Sequence, residues 1–396
     1  MRPMSRGMTS YLLQVGRLID GTGRAEIADA SILIEQGRIR YAGPRREAPP
    51  AGDAVVMDAE EMTALPGLID GHNGLTGEMS SVSALKGYLE HGVTTVATFL
   101  GNAAGRAPAI PLREAIRRGE LPGCASLVVG YIVNGSNAFQ RGETADGPWE
   151  IRRAVHRAAE AGADFIKAAA TGSFTDVRHR TYTREELEAL ADEAHSWGLP
   201  VVIHAHTQPG LDRSIEAGAD LIVHGCFADP AAIDRMARRG ATYMPTLRVT
   251  SARNVSGFSD EPSVYASMSE AQPAHRAAVR RAIRNGVGIA LGSHGPGLKS
   301  VWPHSGETTA FELAELVRCG LSPLQAISAG TLQTARAFRL DGRLGSLSPG
   351  KQADVLCIRG NPLQRIELLR EQERVALVFR HGRLEYVGGT FRGRLQ

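Results

Sequence analysis

Ala161-Gly162-Ala163-Asp164-Phe165-Ile166-Lys167-Ala168, Thr183-Arg184-Glu185-Glu186 and Pro200-Val201-Val202-Ile203-His204 follow one another along the chain, and their order decides the fold. Phe165–Ala168 and Val201–His204 are short, largely apolar runs entered from Gly, Asp or Pro, as buried strands are. Between them Thr183 to Trp197 reads as a helix, with Thr183 at the cap and Glu186 three residues on, the spacing of a capping box. The alternation continues outward through a helix from about Leu211 to Ala217 and the run Asp220-Leu221-Ile222-Val223-His224. Strands and helices alternating at this spacing predict a parallel sheet covered by helices. No internal repeat or low-complexity segment interrupts the pattern.

The two ends have a different texture. Tyr11-Leu12-Leu13-Gln14-Val15, Ala30-Ser31-Ile32-Leu33-Ile34 and Gly37-Arg38-Ile39-Arg40-Tyr41-Ala42 are short strands separated by Gly-rich turns. Asp354–Arg359, Val375–Arg380 and Arg383–Val387 repeat that texture near the far end, the last two joined at His381-Gly382. Two strand-rich ends around a helix-rich middle predict one small β-sandwich assembled from both termini. Asn254 to Pro273 carries Gly, Ser and Pro with little periodicity and reads as a long surface loop over the site.

Composition narrows the partners. Across 396 residues, 45 Lys and Arg balance 42 Asp and Glu, and no basic stripe with interleaved aromatics appears, which argues against nucleic acid. Cys124, Cys226, Cys319 and Cys357 lie far apart without a CxxC pair, the pattern of reduced thiols rather than a disulfide framework. The basic N-terminal residues lead into no apolar signal segment, and no run reaches the length of a membrane span. The expectation is a soluble, cytoplasmic protein whose first ten residues are loose. Whether it forms a homo-oligomer is left open.

Several imidazoles and one amine fall at the C-terminal ends of expected strands: His72 after Leu68-Ile69-Asp70, Lys167, His204, His206, His224, and His294 after Ile289-Ala290-Leu291-Gly292-Ser293. A lone strand-end His is more often a hydrogen-bonded structural residue, and a salt bridge to a neighbouring carboxylate is the plain, minor alternative for Lys167. Converging imidazoles, by contrast, are what a zinc site requires.

Leu65-Pro66-Gly67-Leu68-Ile69-Asp70-Gly71-His72 resembles the entry to the first barrel strand of the amidohydrolase superfamily. Ala161 to Gly172, Val202-Ile203-His204-Ala205-His206-Thr207 and Gly218 to Gly225 are similar to its prolidase-like and imidazolonepropionase-like branch, and Leu344 to Asp354 resembles the return into the sandwich. The likeness runs from about Val15 to Val387. It implies an α/β fold: a (β/α)8 barrel over residues 65–340, and a β-sandwich from 11–64 and 341–396. It further implies a carboxylated Lys167, with His204, His224 and His72 as metal ligands, and hydrolysis of an amide bond by metal-activated water.

Two positions depart from the family pattern. His72-Asn73-Gly74 stands where the family has His-x-His, and Gly292-Ser293-His294-Gly295 offers His294 where it has Asp. The metal position built from those groups has lost two ligands, whereas the one built from Lys167, His204 and His224 is intact. One zinc is therefore expected, two not being excluded. His294 then acts as general base or extra ligand, or is a pocket residue left as metal dependence decayed. His206 either contacts substrate, orients its neighbour or faces helix packing. His304, Arg248 and Tyr131 are candidates for holding substrate, with Asn134 as a further pocket-liner; a solvated surface is the plain alternative for His304 and Arg248. The expected substrate is a small molecule or a short, modified peptide, carrying a peptide-like, N-acyl amino acid or cyclic amide bond. A retired enzyme that binds without turnover, or a lyase or isomerase using the same pocket, are the competing readings.

Overall fold

The computed structural model describes residues 9–391 except 76, 78, 102–107, 140–141, 175, 258, 296–304 and 390. Most of the N-terminal segment expected to be loose, and His304, lie outside the described residues.

Strands Tyr11–Leu18, Ile27–Glu35, Arg38–Pro44 and Val55–Pro66 from one end join Val355–Arg359, Val375–Arg380 and Arg383–Val387 from the other in a single seven-stranded sheet. Its pairs are antiparallel except that Tyr11–Leu18 runs parallel to Val55–Pro66. Alternation builds its core: Leu13, Val15, Ile32 and Ile34 point to the buried side with Cys357 and Phe379, while Leu12 and Leu33 form a smaller cluster on the other face. Two tight turns set the register. Gln36-Gly37 and His381-Gly382 both have positive φ at each residue, the hairpin geometry whose twist matches the strands.

The barrel takes its parallel strands in chain order: Leu68–Asn73, Val93–Thr98, Ser126–Asn134, Phe165–Ala169, Val201–Ala205, Leu221–His224 and Thr242–Met244. The eighth position is a segment of isolated contacts that closes the ring. Tyr243 N donates to Gly288 O (2.8 Å) and Ala290 N to Tyr243 O (3.0 Å) on one side; Gly71 N donates to Leu291 O (2.9 Å) and His294 N to His72 O (2.7 Å) on the other. Apolar side chains including Phe165, Val202, Leu221 and Met244 fill the interior, and Phe338 packs edge-on against Phe165 at 5.0 Å between centroids. The barrel is thus a packed core whose chemistry must sit at its mouth.

The capping box expected at Thr183 is present, Thr183 Oγ1 accepting from Glu186 N and a Glu186 carboxylate oxygen accepting from Thr183 N. The expected loop over 254–273 is not. Helices Ala252–Ser256 and Pro262–Arg284 occupy it, with Pro273 inside the second. Met268, Ala271, His275, Ala278 and Ala282 bury one face of that helix at spacings of three and four. Packing of this face carries the helix through a residue that removes one backbone hydrogen bond. No helix among the described residues is long and apolar enough to cross a membrane.

Candidate metal centre at the barrel mouth

Strand alternation explains why these side chains meet. Phe165 and Lys167, two apart on the fourth strand, point to the same side, and so do Val202 and His204 on the fifth, with His206 just beyond its end. The lower member of each set fills the core, and the upper members emerge into the mouth. Lys167, His72, His204, His206 and His224 are all buried, while His294 is partly exposed.

The imidazoles form one cluster. Ring centroids of His204 and His206 lie 4.6 Å apart, as do those of His204 and His224, and His206 stacks on His224 at 4.9 Å. His72 and His294 lie 5.3 and 5.2 Å from His224 and 5.0 Å from each other. One ring nitrogen from each of His204, His206 and His224 falls within 4.8 Å of the others, a spacing that could hold one ion.

Hydrogen bonds select the free ligand atoms. A carbonyl only accepts, so His204 Nε2 donates to Gly172 O (3.1 Å) and its Nδ1 lone pair is left free. Thr246 Oγ1 donates to Pro245 O (2.5 Å) and accepts from His224 Nδ1 (2.6 Å), freeing His224 Nε2. Among the described residues, Lys167 Nζ, both ring nitrogens of His72 and Nδ1 of His206 are buried without a partner. Orphaned buried polar atoms are costly and rare, and four at one mouth fit a site that receives a cation.

The electrostatics agree. Burial, then neighbouring cationic groups, hold His72, His204 and His224 well below the usual histidine range and bring His206 to about 3, so the rings are neutral and present lone pairs. Burial and the Arg248 guanidinium lower His294 to about 3. Burial lowers the Lys167 amine to about 7.

Backbone strain and two buried acids brace the rim. His224 (φ 73°), Thr246 (φ 55°) and His294 (φ 57°) end the sixth, seventh and eighth strand positions in left-handed conformation, each costing roughly 1–3 kcal/mol. Asp70 ties the first strand to the eighth: it accepts from Ser293 N (2.9 Å), Ser293 Oγ (2.5 Å), Thr309 Oγ1 (2.7 Å) and His72 N (3.3 Å). Glu312 accepts from Leu247 N and Arg248 N at 2.6 and 2.8 Å.

The expected substrate contacts fare differently. Arg248 is buried, not solvated, and donates to Ser293 O (2.6 Å), His294 O (2.7 Å) and Asn254 Oδ1 (2.7 Å); these bonds hold the eighth segment. Tyr131 packs on the outer, helix-covered side of the barrel, its hydroxyl donating to Glu143 Oε2 at 2.8 Å, so the structure does not bring it to the histidines. Asn134 Oδ1 accepts from Ala169 N at 3.0 Å and pins the third strand to the fourth. Sequence reasoning missed Asp70, Glu312 and three rings on the cluster: Phe99 on His72 (4.2 Å), Phe139 on His204 (5.0 Å) and Phe174 on His206 (4.5 Å). The position of Asp70 two residues before His72 was the available signal; the loop phenylalanines carried none.

A closed parallel barrel with a histidine cluster and a buried lysine at its mouth defines a class of metal-competent barrel proteins. The pattern of the Amidohydrolase family matches residues 63–384, and the chain belongs to that family. It is 31% identical over 249 residues to ochratoxinase of Aspergillus niger, covering 61% of this chain and 50% of that protein; the chain spans half the length of this curated relative. It is 26% identical over 386 residues to imidazolonepropionase of Geobacillus thermodenitrificans, covering 83% of each. Among solved structures, a Xaa-Pro dipeptidase with methionine in its active site superposes with a TM-score of 0.83 at 27% identity, covering 96% of this chain and 100% of the other.

Proposed function

We propose that the chain hydrolyses an amide bond in a small molecule or a short, modified peptide, with a single zinc ion held by His204, His224 and a Lys167 carboxylated on Nζ. The observation that carries this reading is the buried Lys167 amine without a hydrogen-bond partner, near enough to His72 and His204 to act on both electrostatically, at a mouth where three imidazoles could share an ion. A pKa near 7 leaves much of that amine neutral at physiological pH, and only a neutral amine adds to carbon dioxide. When bound, the ion would lower the pKa of its water toward ~7 and polarise the scissile carbonyl.

The chain's own groups complete the chemistry. His294, partly exposed and held neutral by a pKa of about 3 without an anion beside it, would accept a proton at a ring nitrogen and return it to the leaving amine once the negative charge of a carboxylated Lys167 and a bound hydroxide raised its pKa toward neutrality. Arg248 fixes that ring by holding the carbonyls of Ser293 and His294. Phe99 covers His72 and lies 5.9 Å from Lys167 Nζ, which keeps water off the lysine. Family membership and the likeness to a dipeptidase support an amide as the bond class.

A second ligand set has its own support, because a His206 ring nitrogen lies as close to His204 and His224 as a third ligand would. Metal content by mass spectrometry, with hydrolysis of N-acyl amino acids before and after chelation, tests the proposal. One ion per chain, lost together with activity in Lys167→Ala, supports the lysine set. Retention in that variant with loss in His206→Ala supports the three-imidazole set. Full activity without metal excludes both.

A further inference from the structure

The chain has only 10 phenylalanines, yet three stand on the histidine cluster. Phe99 belongs to the buried wall. Phe139 and Phe174 come from the loops after the third and fourth strands and remain accessible; Phe139 is 45% exposed and Phe174 is half-buried. A row of four rings results. Phe139 lies 5.0 Å from His204, His204 4.6 Å from His206, and His206 4.5 Å from Phe174. The Phe rings meet their imidazoles at 55° and 53°, so both stand up from the cluster instead of lying flat on it.

Both loops are held. His179 Nε2 donates to Asn137 O at 3.1 Å, and Asn137 Nδ2 to Arg180 O at 3.3 Å, bracing the loop that carries Phe139 against the one that carries Phe174. Behind Phe174, Val249, Val255 and Met268 form a small apolar cluster outside the barrel core. An exposed aromatic edge costs hydration unless something covers it, and here one such edge stands on His204, proposed to hold the ion, and the other on its neighbour His206.

The geometry points to an aromatic subsite: Phe139 and Phe174 hold an aromatic ring of the substrate beside the amide that is cut. This rests on the amide-hydrolase reading and names its substrate class. Ring edges and faces standing at an angle give an aromatic group offset and edge contacts that an aliphatic group of similar area does not reproduce. The polar imidazoles at the base meet the amide, and the apolar walls above them meet the ring.

The test uses the metal-loaded full chain with N-acetyl-L-phenylalanine and N-benzoylglycine against N-acetyl-L-alanine. At least one aromatic compound is expected to exceed the alanine compound in kcat/KM by about tenfold, and that ratio to fall by about tenfold in Phe139→Leu or Phe174→Leu, which keep apolar bulk but lose the ring. Equal kcat/KM across the panel, or ratios unmoved in both variants, overturns the subsite while leaving amide hydrolysis standing. If no amide is cut, the hydrolase reading fails and the subsite is judged by calorimetry with L-phenylalanine and benzoate against L-alanine and acetate. Aromatic-selective binding weakened in either variant supports it, and unselective binding overturns it.

Discussion

Replacing Lys167 by Met should make the metal-free, carbon-dioxide-free protein more stable at neutral pH. Lys167 is fully buried without a partner among the described residues, and burial lowers its pKa from 10.5 to about 7. Between those values the unfolded chain keeps the proton that the native state has lost, so the native state gains stability as pH rises through the window. Below about pH 7 both states are charged and the native state bears the whole desolvation penalty; above about pH 10.5 neither does. At about 1.4 kcal/mol per pH unit the full penalty is about 5 kcal/mol, and about 4 kcal/mol of it remains at about pH 7. Met keeps the length and apolar bulk of the side chain. Urea unfolding of parent and variant should therefore show the variant ahead by several kcal/mol near neutrality, the gap closing toward zero at the alkaline end. A gap that does not change with pH would show that the amine is not desolvated as the structure has it. Adding zinc and bicarbonate should then stabilise the parent and leave the variant unmoved, because the variant has no nitrogen to carboxylate.

Thr246→Val removes the acceptor that orients His224 and should weaken metal affinity about 10–100-fold, read by competition with a chromophoric chelator. Arg248→Met leaves the carbonyls of Ser293 and His294 without the guanidinium that donates to them and should cost about 3 kcal/mol in urea unfolding, with hydrolysis falling further than stability because His294 loses its anchor. Burial raises the Glu312 carboxyl to about 8, so between its ordinary 4.5 and about 8 the native state binds the extra proton and stability falls as pH rises. Glu312→Gln should flatten that slope, measured as melting temperature against pH relative to the parent.

Local chemistry made much of this molecule legible. The Thr183 capping box, the Gln36-Gly37 and His381-Gly382 turns and the apolar runs ending in Lys167, His204 and His224 each depend on residues near in sequence, and each appears in the structure. What escaped depends on distant partners. The helix through Pro273 forms because its buried face packs against the body of the barrel, which no local propensity records. Tyr131 failed as a pocket candidate through parity alone: it sits between Val129 and Val133 on the outward side of its strand. Arg248 could not be placed because its acceptors Ser293 and His294 lie more than forty residues on, and a guanidinium is usually solvated unless such carbonyls converge on it.

The departures at the first and eighth strands acquire a structural sense when their neighbours are considered together. Asn73 does not point a donor set at an ion: its amide bonds to the Tyr88 hydroxyl and its Oδ1 accepts from Leu75 N at 3.2 Å. Phe99 stacks on His72 at 4.2 Å and approaches His294 at 5.4 Å, so apolar carbon covers one face of the His72 ring. On the opposite side His204, His206 and His224 keep their spacing, with tautomers already chosen by Gly172 and Thr246. On the single-zinc proposal Phe99 is the residue to change: Phe99→Ala should raise the number of zinc ions bound per chain above one if the ring is what closes the second position. An unchanged count would place the cause in the missing ligands alone.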